Sequence, residues 1–298
     1  MAEPVWIEAA LNGPWGRGLQ PGIPVSVSEI VAEGIAAAEA GAAIVHFHAY
    51  DEATGRQQDD WEIYARIIEG IRARADVIAY PTIPLAGSGL GAFEPAGARD
   101  RFRHIDELGR RGLLEWTVVD PGSVNFARLD AIAAGEPGFV YLNPESHVGE
   151  GLRVSAAHGI RPSYAIYEPG FSRLGAALAA RSPGLRTPVY RLMFSDRFAW
   201  GFPPRDWALE AHLRLLGEVA PGAAWMVAGL GVDIDALIEP AVARGGHVRV
   251  GLEDAIFGEA RSNRALVDAA VRRVRALGRD PATTAEVRRA AARTDSVP

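Results

Sequence analysis

The sequence predicts an α/β protein, a (β/α)8 TIM barrel formed as one domain over residues 1–298 with a short C-terminal surface tail. Three observations predict it. Short apolar, β-branched runs alternate with segments of helical periodicity, the pattern of a parallel sheet covered by helices. No linker, charge block or solenoid-length repeat divides the chain. Polar residues gather just past the C-terminal ends of the runs, where such barrels keep their chemistry.

The elements follow in order. A strand at Val5 to Ala10 is stopped by Asn12-Gly13-Pro14. Ser28 suits an N-cap, with Ile30, Val31, Ile35 and Ala38 at helical spacing after it and Gly41 ending the helix. Ala43 to Val45 begin a strand that runs into His46, His48 and Asp51. Asp59-Asp60 caps a helix whose Trp61, Tyr64, Ile67, Ile68 and Ile71 form an apolar stripe. A strand at Asp76 to Tyr80 precedes a loop rich in glycine and proline from Pro84 to Gly97. Within it, Gly87-Ser88-Gly89-Leu90-Gly91 lacks the last glycine of a dinucleotide fingerprint, and Glu94-Pro95 breaks the helix such a motif needs, so the loop is read as a mobile cover over a site.

Arg99 to Gly112 reads as a helix, then Leu114 to Val119 as a strand with the turn Asp120-Pro121-Gly122-Ser123. Pro144-Glu145 opens a helix to Ala157, and Ser163 to Tyr167 is a strand. Helices at Arg173 to Arg181, Trp207 to Val219 and Ile234 to Arg244 alternate with strands at Val189 to Phe194, Ala224 to Ala228 and His247 to Val250. A helix from Asn263 to Leu277 closes the fold, and the chain after Arg279 reads as a charged surface tail. Counting Gly138 to Leu142 gives nine strand candidates. That run is demoted, because it lies directly before a capped helix with no clear crossover helix on its N-terminal side.

Composition narrows the function classes. The chain is 48% hydrophobic and 23% charged, which is globular. A net charge of −6 gives no electrostatic case for nucleic acid or an anionic membrane. There is no cysteine, so any metal must sit on histidine and carboxylate. No apolar run approaches the ~20 residues of a membrane span. The start, Met-Ala-Glu-Pro-Val-Trp, carries no signal pattern, and a cytoplasmic protein is expected.

The chemistry is expected at two ends of the chain. His46 and His48 are two apart on a strand, hence on one face, ~7 Å apart along it, and can hold one divalent metal. The other reading of such a pair is two hydrogen-bonded core histidines. The first strand of a closed barrel neighbours both the second and the eighth, which brings Glu253 and Asp254 close to the histidines. Two histidines and a carboxylate form a common open metal set, with Glu253 as third ligand and Asp254 left as a base. Arg249 lies within reach of Asp254 if the chain turns at Gly251, and would lower its pKa. Alternatively, these charges form a solvated cluster at a helix start.

These residues carry a resemblance. Val45-His46-Phe47-His48-Ala49-Tyr50-Asp51, with Thr54-Gly55 after it, resembles the HxHxRD…TG segment of the β-keto acid cleavage enzyme family. Gly245 to Asp254 reproduces that family's GGHVRVGLED signature. Gly122-Ser123-Val124-Asn125-Phe126 is similar to its GSxNF turn, and Ser262-Asn263 with Leu266-Val267 to its SNAxLV helix. The resemblance implies a zinc-dependent barrel enzyme, an acyltransferase that acts on a β-keto acid and acetyl-CoA to give acetoacetate and a new acyl-CoA. It implies Zn2+ on His46, His48 and Glu253, with Asp254, held by Arg249, as the base. It implies substrate contacts at Thr82, Ser123 and Asn125, and a homo-oligomer, a tetramer by that family's habit.

The sequence departs from the family pattern in three places. Tyr50 stands where arginine is usual, Ala165 where many members carry a glutamate, and Pro14-Trp15 where small or acidic residues are common. The lost acids argue against an amine-bearing substrate. Trp15, Trp200 and Phe202 could form an apolar wall instead, able also to hold a quaternary ammonium, or could simply pack loops. Two other functions compete. One is a metal-dependent hydrolase on the same barrel, disfavoured because no histidine follows strands five or six. The other is a metal-holding protein without turnover, disfavoured because Arg249 and Asp254 are retained.

Overall fold

The computed structural model describes residues 3–92 and 94–295. Eight parallel strands form the barrel: β1 (Ile7–Ala10), β2 (Ile44–Phe47), β3 (Ile78–Pro81), β4 (Trp116–Val118), β5 (Arg161–Ile166), β6 (Val189–Phe194), β7 (Trp225–Gly229) and β8 (His247–Val250). Ladders join them in the order β3-β2-β1-β8-β7-β6-β5-β4. The two ends of that order, β3 and β4, lie side by side without ladder bonds, so the barrel is nearly closed. Nearly every strand residue is buried, as expected where helices cover one face and the barrel interior the other. Four of the buried strand residues are charged: Arg161 at the start of β5, and Glu8, Arg191 and Arg249 within β1, β6 and β8.

Local chemistry sets the element ends. The helix Val27–Ala40 is capped by Ser26, two residues ahead of Ser28, because Glu29 completes a capping box with Ser26. The expected helix from Arg99 to Gly112 is broken at Phe102 into Ala98–Arg101 and Arg103–Arg110. Gly138 to Leu142 does contain a strand, Phe139–Tyr141, but it pairs antiparallel with Val124–Phe126 in a hairpin outside the barrel. Its demotion from the barrel therefore holds, while its dismissal as a strand does not.

The chain after Arg279 is not a simple surface tail. A capping box at Thr283 and Glu286 starts the helix Thr284–Thr294, which buries Val287 and Ala291. Burying a side chain such as Val287 contributes about 1.5–3 kcal/mol. Arg161, at the start of β5, donates to the Ala291 carbonyl and pairs with Asp295 at 2.7 Å. This helix covers the N-terminal end of the barrel, opposite the mouth at the C-terminal ends of the strands. Among the described residues no helix is long and apolar enough to cross a membrane.

Candidate metal centre and active-site cavity

The mouth is assembled by backbone contacts between β1, β2 and the turn after β8. Gly251 has φ +146°, and a Cβ there would stand 2.0 Å from the Ala10 carbonyl oxygen. Only glycine lets the turn lie flush on the end of β1. The Glu253 amide then donates to Ala10 O at 3.2 Å, which delivers the Glu253 side chain over β2. Gly13 is equally constrained, with φ +66° and a Cβ position 2.7 Å from Glu253 Cγ. Asn12 ties the other side: its Oδ1 accepts from the His48 amide at 2.8 Å, and its Nδ2 donates to the His48 carbonyl at 2.9 Å.

These restraints bring His46, His48 and Glu253 together, with one ligand atom of each within 4.8 Å of the others. His46 Nε2 lies 3.5 Å from Glu253 Oε2, and His48 Nε2 lies 3.5 Å from Oε1. The two rings point to one place, their centroids 5.3 Å apart. All three side chains are buried, yet His48 Nε2 and Glu253 Oε2 have no hydrogen-bond partner. Buried polar atoms are normally satisfied, so these two orphans fit a set of ligand atoms gathered for a cation. His48 Nδ1 meets Gln57 Oε1 at 2.9 Å.

Arg249 organises the carboxylates behind the centre. Its Nε and Nη2 grip Asp254 at 2.8 and 2.9 Å, Nη2 also meets Glu253 Oε1 at 2.8 Å, and Nη1 meets Glu8 Oε1 at 2.9 Å. Glu8 and Arg249 face each other in register across β1 and β8, and Tyr80 donates to Glu8 at 2.7 Å. Burial works against ionising Glu253, but the Arg249 guanidinium outweighs it and holds this carboxyl well below its usual range. For Asp254 burial wins: it pushes the carboxyl up to about 6 against the pull of Arg249. Arg249 does pull this pKa down, as expected, but the net shift is upward because burial outweighs it. Burial also keeps His46 neutral, its pKa well below normal. Among the described residues of the mouth, the buried carboxyls Glu8, Asp120, Glu253 and Asp254 outnumber the buried guanidiniums Arg191 and Arg249. A bound divalent cation would offset that imbalance.

A cavity opens over the centre, its wall including His46, His48, Glu253, Thr82, Asp120 and Arg191. Trp15, Phe126, Tyr141 and Tyr167 give it an aromatic side. Of the residues expected to meet substrate, Thr82 is on this wall. Ser123 and Asn125 are not: both are exposed on the hairpin, and the Ser123 hydroxyl accepts from the Asn143 amide at 2.8 Å. Asp254 stands outside the wall, on the far side of Arg249. Of the three aromatics singled out, Trp15 lines the cavity and donates to the Glu253 carbonyl at 2.8 Å. Trp200 packs behind the wall on Phe198, Phe126 and Tyr167, whereas Phe202 packs against Trp207 and His212. Tyr50 is structural, its hydroxyl donating to the Gly13 carbonyl.

Sequence reasoning missed Glu8, Gln57, Asp120 and Arg191. Glu8 and Arg191 had a legible signal, since a charge in the middle of an apolar strand must point into the barrel. Asp120 receives Tyr141 Oη–H on Oδ2 at 2.7 Å and the Ala165 amide on Oδ1 at 3.1 Å, and it forms an ion pair with Arg191, whose Nη2 stands 3.6 Å from Oδ1. Ala165 and Arg191 are register partners on β5 and β6.

The fold and the mouth define a (β/α)8 enzyme whose site lies at the C-terminal ends of its strands. The chain belongs to the beta-keto acid cleavage enzyme family, whose family model matches residues 4–291. It is 30% identical over 285 residues to the 3-dehydrocarnitine:acetyl-CoA trimethylamine transferase of Rhizobium meliloti (strain 1021), covering 90% of this chain and 89% of that one. It is 30% identical over 294 residues to the 3-oxoadipate:acetyl-CoA acetyltransferase of Cupriavidus necator, covering 97% and 94%. It is 28% identical over 295 residues to the 3-keto-5-aminohexanoate cleavage enzyme of Fusobacterium nucleatum, covering 97% of each. Among solved structures, apo ObcA superposes with a TM-score of 0.72 at 17% identity. That match covers 90% of this chain but 65% of ObcA, and is a likeness of fold.

Proposed function

We propose that the protein condenses a β-keto acid with acetyl-CoA and releases acetoacetate and a new acyl-CoA. The observation that carries this reading is the convergence of His46, His48 and Glu253, with unpartnered ligand atoms, beside the Arg249–Asp254 pair. Family membership across the chain and relatives named for acetyl-CoA transfer support it. The three residues would hold Zn2+, which supplies Lewis-acid polarisation of the β-keto carbonyl when bound. The donor set and the charge deficit of the mouth both fit a divalent ion.

Asp254 is assigned as the base by the family resemblance; because it lies behind Arg249 and outside the cavity wall, taking a proton from the carbon between the keto and carboxylate groups requires Arg249 to shift or the proton to be relayed to it. A carboxyl raised to about 6 is a better base than an ordinary one and still ionised near neutral pH. The resulting carbanion attacks the acetyl carbonyl and expels the CoA thiolate. The thiolate attacks the original keto carbon, the bond between that carbon and the former carbanion carbon breaks, and acetoacetate leaves after taking a proton. Thr82 contacts the substrate from the cavity wall, and a role for Ser123 and Asn125 requires the hairpin to move inward. Acetyl-CoA labelled in its acetyl group tests the route: the label is expected in the methyl-ketone half of acetoacetate. Label in free acetate, with none in acetoacetate, contradicts it.

The cavity also bears on the variable end of the keto acid. Its aromatic side suits an uncharged group, or a quaternary ammonium held by cation–π attraction. Both oxygens of Asp120 are already engaged, and Ala165 supplies no acid. A primary ammonium would be buried without a partner, at a cost of several kcal/mol. Among keto acids of similar size, the primary amine is expected to have the lowest kcat/KM. A primary-amine β-keto acid that proves the best substrate contradicts this.

A further inference from the structure

Gln57 occupies a place that neither the family signature nor the reaction explains. It sits on the short hairpin Tyr50–Asp51/Arg56–Gln57 and is 2% exposed. Its Oε1 faces His48 Nδ1 at 2.9 Å. Its Nε2 faces three acceptors: Asp59 Oδ1 at 3.0 Å, Asp59 Oδ2 at 2.9 Å and the Ile83 carbonyl at 3.2 Å. The other amide orientation would set Oε1 against those three oxygens, acceptor on acceptor, so the surroundings fix which end meets the imidazole. Asp59 is itself held, accepting from the Tyr64 hydroxyl at 2.7 Å. An amide oxygen can only accept, so His48 Nδ1 must carry the hydrogen. In the neutral imidazole its Nε2 then carries the lone pair, and it is the atom that points at Glu253 without a partner. His46 lacks such a device, its Nδ1 being buried and unpartnered.

We propose that Gln57, locked by Asp59, is a positioning residue that fixes the tautomer of His48 and so prepares Nε2 as a metal ligand. The tautomer claim stands on the hydrogen bonds alone. Only its consequence for a cation rests on the metal reading above. Outer partners of a metal-ligating histidine typically change metal affinity about 10–100-fold.

The test uses two readouts on the full chain. Nitrogen-15 NMR of the metal-free protein in mildly alkaline buffer reads the tautomer directly. Wild type is expected to show His48 protonated at Nδ1 and bare at Nε2, and a hydrogen on Nε2 overturns the inference without any variant. Gln57→Met, of similar volume and with no strong acceptor, is expected to give a mixed tautomer. Its zinc affinity, measured by chelator competition, should fall about 10–100-fold. An unchanged tautomer and affinity in a folded Gln57→Met contradicts the proposal. If that variant does not fold, Asp59→Asn takes its place, since it weakens the lock without touching a ligand. A shift toward the mixed tautomer is expected there too, and none overturns the role. A wild-type protein with the Nδ1–H tautomer that binds no zinc refutes the metal reading and leaves the positioning of His48 standing.

Discussion

Asp254→Asn is expected to keep the fold and the metal and to lose about 10²–10⁴-fold in kcat, the range for removing a general base. The fold should survive because Arg249 keeps Glu8 and Glu253 as partners at 2.9 and 2.8 Å, so its charge is not abandoned in the interior. The metal should survive because Asp254 contributes no ligand atom to the centre. Glu253→Gln separates the neighbouring roles. It removes the negative ligand and should weaken metal binding first, with activity following metal occupancy. Arg249→Lys keeps a cation but loses the planar fork that grips Asp254 through two nitrogens, and should fall between wild type and Asp254→Asn. Metal content measured beside kcat for the two acidic variants decides the matter. Loss of zinc in Asp254→Asn with retention in Glu253→Gln would exchange the two assignments.

His48→Ala is expected to remove nearly all bound divalent metal and, with it, turnover. The side chain is one of the three proposed ligands, and its backbone is fixed independently by Asn12, so the truncation removes the imidazole without releasing the strand end. With one ligand gone, Glu253 and His46 alone make a poor site. The check is metal analysis of the purified variant beside a thermal melt. Undiminished metal in a folded His48→Ala refutes the assignment of the centre.

The sequence carried much of this, for identifiable reasons. Barrel strands are covered on both faces, so β3 and β7 appear as apolar runs whose ends are easily placed. The His46–His48 spacing and the Glu253 position follow from pleat and strand order, and the structure brings all three together. What was illegible depends on contacts across the chain. Nothing in Arg191 or Asp120 announces that they meet beneath one cavity, because β4 and β6 are joined only through β5. Gln57 lies on a hairpin too short for periodicity to show. The helix Thr284–Thr294 looks like a charged tail because only Val287 and Ala291 give it an apolar face. Ser123 and Asn125 looked like cavity residues from their place after β4, but the antiparallel pairing with Phe139–Tyr141 turns them outward.

The central claim is that a β-keto acid is cleaved by transfer to acetyl-CoA. Its most direct test is keto-acid consumption and acetoacetate release by the zinc-loaded protein, measured over a panel of β-keto acids with and without acetyl-CoA. The account predicts consumption and acetoacetate only when acetyl-CoA is present, with a new acyl-CoA formed in equal amount. Equal consumption with and without acetyl-CoA would contradict it and favour a hydrolase on the same barrel.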